Sequence, residues 1–209
     1  MDCGVKLLNI ERIEIVNDGY ILCKSNFYTS KDIINREKKY IFSKGVNRLN
    51  GEIDSGVWAV SYLLSMFKYR QKDFILYEKP EVFVGGEAIS LAEFSEYSCY
   101  MDKSYPLFAS KKTVRELVSK GIKKTRQNYA PENIKDMFCI DENRFERPLN
   151  ATGNEVFKAM AAIAYSNNKQ VFCFPWLSQK RFEGYHNNLL WLLDELDRLG
   201  IIAIVPVGR

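Results

Sequence analysis

Hydrophobic and polar residues alternate near the N-terminus and then close up into continuous apolar runs. Val5-Lys6-Leu7-Leu8-Asn9-Ile10 and Arg12-Ile13-Glu14-Ile15-Val16 predict short strands, with a turn at Asn17-Asp18-Gly19. Tyr40-Ile41-Phe42 rises toward Lys44-Gly45, and Val46-Asn47-Arg48-Leu49 runs into a loop opened by Gly51. From Val57 to Phe67 apolar side chains (Val57, Trp58, Val60, Tyr62, Leu63, Leu64, Met66, Phe67) fall on nearly every side, which predicts a deeply buried helix. Phe74-Ile75-Leu76-Tyr77 and Val82-Phe83-Val84 return to strand on either side of a turn at Lys79-Pro80.

The middle changes character. Thr113 is placed to cap a helix running through Val114, Leu117 and Val118 to Gly121, and a second helix is expected after Pro131. Lys111 to Lys135 carries eight basic residues and two acidic ones, a helical insertion with one basic face. Such a face is either plain solvated surface or a contact for a partner or acidic lipid. The last third reads strand–helix–strand. Val171-Phe172-Cys173-Phe174 predicts a fully buried strand, and Leu189, Leu190, Leu192, Leu193, Leu196 and Leu199 keep helical spacing up to Gly200. Ile201 to Val205 resumes strand, with Pro206 expected to end it. Repetition of that unit implies a parallel sheet with helices on its faces. The fold class is therefore α/β, a mixed sheet flanked by helices, with an antiparallel N-terminal β-subdomain and a small helical subdomain at about 104–148 inside one domain spanning 1–209.

Composition narrows the function classes. The chain has 209 residues, 46% hydrophobic and 13% aromatic, which suits a packed core. A net charge of +4 is too small at this size to imply nucleic-acid binding. Cys3, Cys23, Cys99, Cys139 and Cys173 are scattered without C-x-x-C spacing, so a reduced cytoplasmic setting and no metal site are expected. Lys6, Glu11, Arg12 and Glu14 break the N-terminal stretch, so no signal peptide is read there. No uncharged apolar run approaches the roughly 20 residues that span a bilayer.

Candidate chemistry centres on Gly51-Glu52-Ile53-Asp54-Ser55-Gly56-Val57-Trp58. Its frame is that of a phosphate-binding loop, in which backbone N–H groups and a helix N-terminus cradle phosphates, a Lys neutralises them and a hydroxyl holds Mg²⁺. Val57 stands at the Lys position, Trp58 at the hydroxyl position, and Asp54 adds a carboxylate where a phosphate would be repelled. Trp58 is a candidate to fill the volume of the phosphates. The plain reading is a tight strand-to-helix turn kept for folding.

With these pieces in order, the chain resembles the ATP-binding cassette (ABC) ATPases, in a degenerate form. The match to that family's loop is Gly51, Ser55 and Gly56. Its Gln after a strand, leucine–aromatic pair and Val-x-Glu correspond to Lys103, Leu107-Phe108 and Val114-Arg115-Glu116. Its signature corresponds to Ala151-Thr152-Gly153-Asn154-Glu155, followed by a helix over Val156 to Tyr165. Where the family has Asp-Glu after a strand, this chain has Pro175-Trp176, and where a His follows the last strand it has Gly208-Arg209. The resemblance implies no catalytic residue, no metal, and a phosphate loop (Gly51, Ser55, Gly56, Val57, Trp58) without its chemistry. No bound cofactor is implied, with weak ATP binding as the alternative.

It also implies a catalytically silent ATP-binding subunit, paired as a homo- or heterodimer with an intact ABC ATPase or docked on a membrane subunit. Location would be cytoplasmic, peripheral to the membrane through that partner, with no nucleic acid. Thr152, Gly153, Asn154 and Glu155 would meet the partner's nucleotide, or else form a capping box at a helix start. The alternatives are an atypical ATPase with a non-standard loop and a free-standing regulatory module on the same scaffold. His186 reads as a surface or capping residue. Glu87, Glu93 and Glu96 read as a solvated face, and Trp176, Phe182, Tyr185 and Trp191 as core or a partner patch.

Overall fold

The computed structural model describes residues 10–17, 21–23, 33–35, 39–53, 56–76, 79–184 and 186–208. Most of the strand expected over Val5–Ile10, the turn at Asp18-Gly19, and Asp54, Ser55, Tyr185 and Arg209 lie outside these residues. The strands are β1 (Arg12–Val16), β2 (Ile21–Cys23), β3 (Ile33–Asn35), β4 (Lys39–Ser43), β5 (Gly45–Asn50), β6 (Phe74–Leu76), β7 (Glu81–Val84), β8 (Glu87–Ile89), β9 (Ser98–Tyr100), β10 (Val171–Cys173) and β11 (Ile202–Val207). The helices are α1 (Val57–Arg70), α2 (Leu91–Phe94), α3 (Val114–Thr125), α4 (Pro131–Met137), α5 (Glu142–Phe145), α6 (Val156–Ser166), α7 (Gln179–Gly184) and α8 (His186–Arg198).

The period-2 stretches form antiparallel sheet. The strand order β4-β1-β7-β8 buries Ile13, Ile15, Tyr40, Phe42, Val82 and Val84 on one side, and Glu14 and Ile41 face outward. A second antiparallel sheet runs β3-β2-β6. The continuous apolar runs form a parallel sheet in the order β5-β11-β10-β9. Every residue of β9, β10 and β11 is buried, so both faces are covered, and α1 and α8 both pack against β11. α1 is buried at ten consecutive positions, Val57 to Met66, because it also lies against β2, β3 and β6.

Local rules predict most ends and miss a few. Pro206 does not stop β11, which continues to Val207 with Pro206 opposite Leu49 of β5. Pairing with β10 ends at Cys173 opposite Ile204, and the bridge from Leu177 to Val207 that follows on that side uses the Pro206 carbonyl and the Gly208 N–H, so no Pro206 N–H is needed. Gly121 does not end α3, which runs one turn further to a C-cap at Arg126, itself left-handed at φ 56°. Gly121 is instead where α3 touches α6. A Cβ there would lie 2.9 Å from the Ser166 carbonyl carbon and 2.6 Å from the Asn167 side-chain Nδ2. The cap at Thr113 forms with its full box. Its side chain accepts from Glu116 N at 3.2 Å, and the Glu116 carboxylate accepts from Thr113 N at 2.8 Å. The expected box at Thr152 and Glu155 does not form. Thr152 donates to the Leu149 carbonyl at 2.8 Å, and Glu155 accepts from Asp141 N at 3.2 Å.

The basic segment is less uniform than its sequence suggests. Arg115 holds Glu132, Glu142 and Glu146 together and lies over the Phe145 ring, tying α3, α4 and α5 into one unit. Lys135 pairs with Glu142. No helix among the described residues is long and apolar enough to cross a membrane.

Candidate functional site

The order β5-β11-β10-β9 decides what meets at the sheet's carboxyl edge. The last strand of the chain inserts between the first and third of the four, so the chain doubles back within the sheet. Crevices outside the carboxyl ends of strands at such reversals are where ligands settle in open α/β sheets. The segments leaving that edge are the Gly51 loop after β5, Gly208 after β11, Phe174-Pro175-Trp176 after β10, and Met101-Asp102-Lys103 after β9. Residues far apart in the sequence thus form one row.

The Gly51 loop is anchored at its start. Gly51 N–H donates to the Val207 carbonyl at 3.0 Å, extending the β5–β11 ladder by one bond. At its end Gly56 is left-handed (φ 81°, ψ 3°) as the residue preceding α1, a conformation that glycine adopts without a Cβ penalty. α1 starts with neither a side-chain cap nor an acidic residue in its first turn. Val57 is 9% exposed and Trp58 only 1%. The Trp58 ring meets Tyr62 edge-on at 5.9 Å, and Tyr62 in turn meets Tyr100 at 5.2 Å and Phe74 at 5.4 Å. Trp58 therefore sits in an aromatic cluster beneath the loop. Burial, then the hydrogen bond to Asp73, push the Tyr62 phenol up.

A different tryptophan crosses the edge. Trp176 Nε1 donates to the Gly51 carbonyl at 3.0 Å. Its six-membered ring lies on Gly208, where a Cβ would be 2.7 Å from Trp176 Cζ2. The indole thereby spans from the end of β10 over the end of β11 to the start of the Gly51 loop, across strands about 4.8 Å apart. Neighbouring backbone fixes its path. Leu177 N–H donates to the Pro206 carbonyl at 3.0 Å, and Gly208 N–H to the Leu177 carbonyl at 2.9 Å. Below it, Ser61 of α1 donates to the Phe174 carbonyl at 2.6 Å, which ties the helix after the loop to the strand that carries Trp176. Burial pushes the Cys173 thiol up to about 12 and that of Cys99 well above its ordinary value, so both are protonated spectators in the sheet.

The expected site residues divide accordingly. Gly51, Gly56, Val57 and Trp58 border the carboxyl edge; Ser55 and Asp54 lie outside the described residues. Pro175, Trp176 and Gly208 join them there. Lys103 is exposed just beyond β9. The signature-like segment starts α6: Thr152 is fully buried, Gly153 (φ 62°) and Asn154 are exposed, and Arg144 lies against Gly153. Phe157 links this segment to the sheet through the Phe174 ring at 5.8 Å.

The other candidates scatter. Glu96 pairs with Lys68, whereas Glu87 lies in β8 and Glu93 in α2. Phe182 is buried under Arg48 at 5.1 Å, and Trp191 carries Lys158 at 4.5 Å. His186 is the first residue of α8. The sequence points to Trp58 as the residue to fill the loop and leaves Trp176 in the core or a partner patch. The one pointer to Trp176 as the bridge is its place just after a buried strand.

No family model and no curated protein matches this chain. Solved structures do. An ABC transporter ATP-binding protein from Pyrococcus furiosus aligns at 14% identity over 95% of this chain and 92% of its own, with a TM-score of 0.60. The ATP-binding subunit of an ABC transporter aligns at 12% identity over 94% of this chain and 79% of its own, with a TM-score of 0.56. A bacterial Atm1-family ABC exporter with ATP bound aligns at 12% identity and a TM-score of 0.63; it matches all of this chain, which spans 37% of the exporter. With likeness along nearly its whole length, a glycine loop opening α1 and its last strand inserted beside that loop, this chain has the fold of the ABC transporter ATP-binding proteins.

Proposed function

We propose that this chain is a catalytically silent homologue of ABC transporter ATP-binding subunits, serving as a non-hydrolysing partner in a transporter-like assembly. The observation that carries the reading is the Trp176 indole, which is bonded to the Gly51 carbonyl of the glycine loop and which the sequence resemblance sets where ABC ATPases carry a catalytic carboxylate.

The side chains at the key positions support it. Mg²⁺ takes hard oxygen ligands, and Val57, Trp58, Pro175 and Trp176 offer none through their side chains. Phosphoryl transfer depends almost wholly on positioning and electrostatic stabilisation. Loss of one such group costs about 2.7–4 kcal/mol, or roughly 10²–10³ in rate, by analogy with an oxyanion donor. By the resemblance, the loop Lys, the Asp-Glu pair after β10 and the His after β11 are replaced together, by Val57, Pro175-Trp176 and Gly208-Arg209.

A partner would meet the exposed Gly153 and Asn154 ahead of α6, since the Thr152 hydroxyl is committed to Leu149. That partner is an intact ABC ATPase subunit, whereas a membrane subunit would dock through the region after Lys103. Titration calorimetry with MgATP on the isolated chain tests the reading. No heat of binding and no phosphate release are expected. A micromolar dissociation constant, or turnover abolished by Gly56→Glu, would replace it with an atypical ATPase.

A further inference from the structure

We propose that the outer face of α3 and the turn that follows it, Lys120, Lys123, Lys124, Arg126 and Tyr129, is a contact surface for an anionic lipid bilayer. Lys120 to Tyr129 holds four cations and no carboxylate, a local charge equal to the whole chain's net +4. Helical spacing sorts the segment into two sides. Val114, Leu117, Val118, Gly121 and Ile122 face the core, while Lys123 lies opposite them, Lys120 and Lys124 flank the Leu117 edge, and all three are exposed, as is Arg126 at the C-cap.

Counter-charges that could neutralise this stripe are engaged elsewhere. Glu116 caps its own helix, Glu132, Glu142 and Glu146 converge on Arg115, and Glu96, which also lies within electrostatic reach of Lys124, is bonded to Lys68. Among the described residues none of the four cations has an ion-pair partner. Relief of the helix dipole accounts for Lys123 and Lys124 in the last turn. It accounts equally for Arg126 at the C-cap but not for Lys120 before that turn.

Tyr129 adds the amphipathic element. It is 43% exposed and held in place by the Tyr165 ring at 6.4 Å. Exposed tyrosines beside cations suit the headgroup level, where the ring meets the acyl boundary and the hydroxyl stays wet. A convex helix face offers no groove for an extended acidic peptide and no stacked aromatics for bases. It does offer a set of exposed point charges to a plane of negative charge, each contributing about fivefold in affinity near such a surface.

Sedimentation with phosphatidylserine-rich vesicles, against pure phosphatidylcholine vesicles, reads this directly. The intact chain should pellet with the anionic vesicles only and be released by salt at about 0.5 M, where screening shortens to a few ångströms. Each single Lys→Ala change should weaken partition about fivefold, and K120A/K123A/K124A/R126A should abolish it. Y129A should weaken binding with the salt dependence unchanged. All five side chains are exposed, so an unaltered thermal melt checks that each variant is folded. Equal binding to both vesicle types, or undiminished binding by the quadruple variant, overturns the proposal. So does preferential capture by polyglutamate or single-stranded RNA over the anionic vesicles, which would assign the face to a different acidic partner.

Discussion

Replacing Trp176 by Phe keeps an aromatic ring over Gly208 but removes the Nε1–H that the Gly51 carbonyl accepts at 3.0 Å. A net intramolecular hydrogen bond contributes about 0.5–1.5 kcal/mol. The bond is only partly buried and water can replace some of it, which places the expected loss near ~1 kcal/mol. Trp176→Ala also deletes a half-buried indole, so its loss should be roughly half of the 3–5 kcal/mol typical of a fully buried Trp→Ala change, added to the bond. Urea unfolding gives both values from the midpoint at constant slope.

Stability alone would not separate a bridge from ordinary packing, so the second readout is amide exchange. Gly51 N–H is bonded to Val207, and the indole clamps the same peptide segment through the neighbouring carbonyl. Loss of the clamp should speed exchange from Gly51 to Gly56 by about fivefold, the factor that ~1 kcal/mol gives, and leave amides in β9 and α3 unchanged. Unaltered loop exchange in Trp176→Phe would refute the claim that this indole holds the loop, whatever the stability change.

Two further outcomes follow from buried contacts. Gly121→Ala should gain helix propensity on an open helix, yet here a Cβ meets Ser166 backbone at 2.9 Å. Overpacking of about 1–3 kcal/mol should win, giving a lower thermal midpoint; a rise would mean that α3 and α6 separate freely. Lys169 is buried with Nζ donating to the Ser95 and Glu96 carbonyls at 3.1 and 2.7 Å, and burial lowers its pKa from 10.5 to about 8. A lowered lysine pKa means that the unfolded chain holds the proton between pH 8 and 10.5 while the folded one does not, so this group's contribution rises across that window. The stability difference between wild type and Lys169→Met should therefore shift by about 3 kcal/mol in favour of wild type from pH 8 to 10.5. Taking the difference removes the tyrosines and thiols that titrate in the same range, and a flat difference would refute the assignment.

Periodicity makes the long elements readable from the amino-acid order. α1, α8 and β11 are each visible there because an apolar run or a 3.6-residue spacing reports local geometry directly, β10 shows only as the apolar run Val171-Phe172-Cys173-Phe174, and α6 is expected from the resemblance alone. The Thr113 cap is readable for the same reason, since its box closes within four residues. Short elements between turns are not: β8, α2 and α5 span three or four residues, too few to establish a period. The apparent box at Thr152-Glu155 shows the opposite error. Its letters fit, but Asp141 and Leu149 offer those side chains better partners from outside the helix.

The candidate site divides along the same line. The sequence alone determined that a glycine loop lies between a strand and a buried helix, and that Val57 and Trp58 directly follow its second glycine. Both are properties of adjacent residues. Only the tertiary structure decided that β11 inserts between β5 and β10, and that Trp176 rather than Trp58 reaches across the edge to Gly51, 125 residues away. Strand order is set by which faces can be buried together, and a side chain at a strand end meets whatever that order brings beside it. No local period carries that information, so the bridge exists only in the assembled sheet.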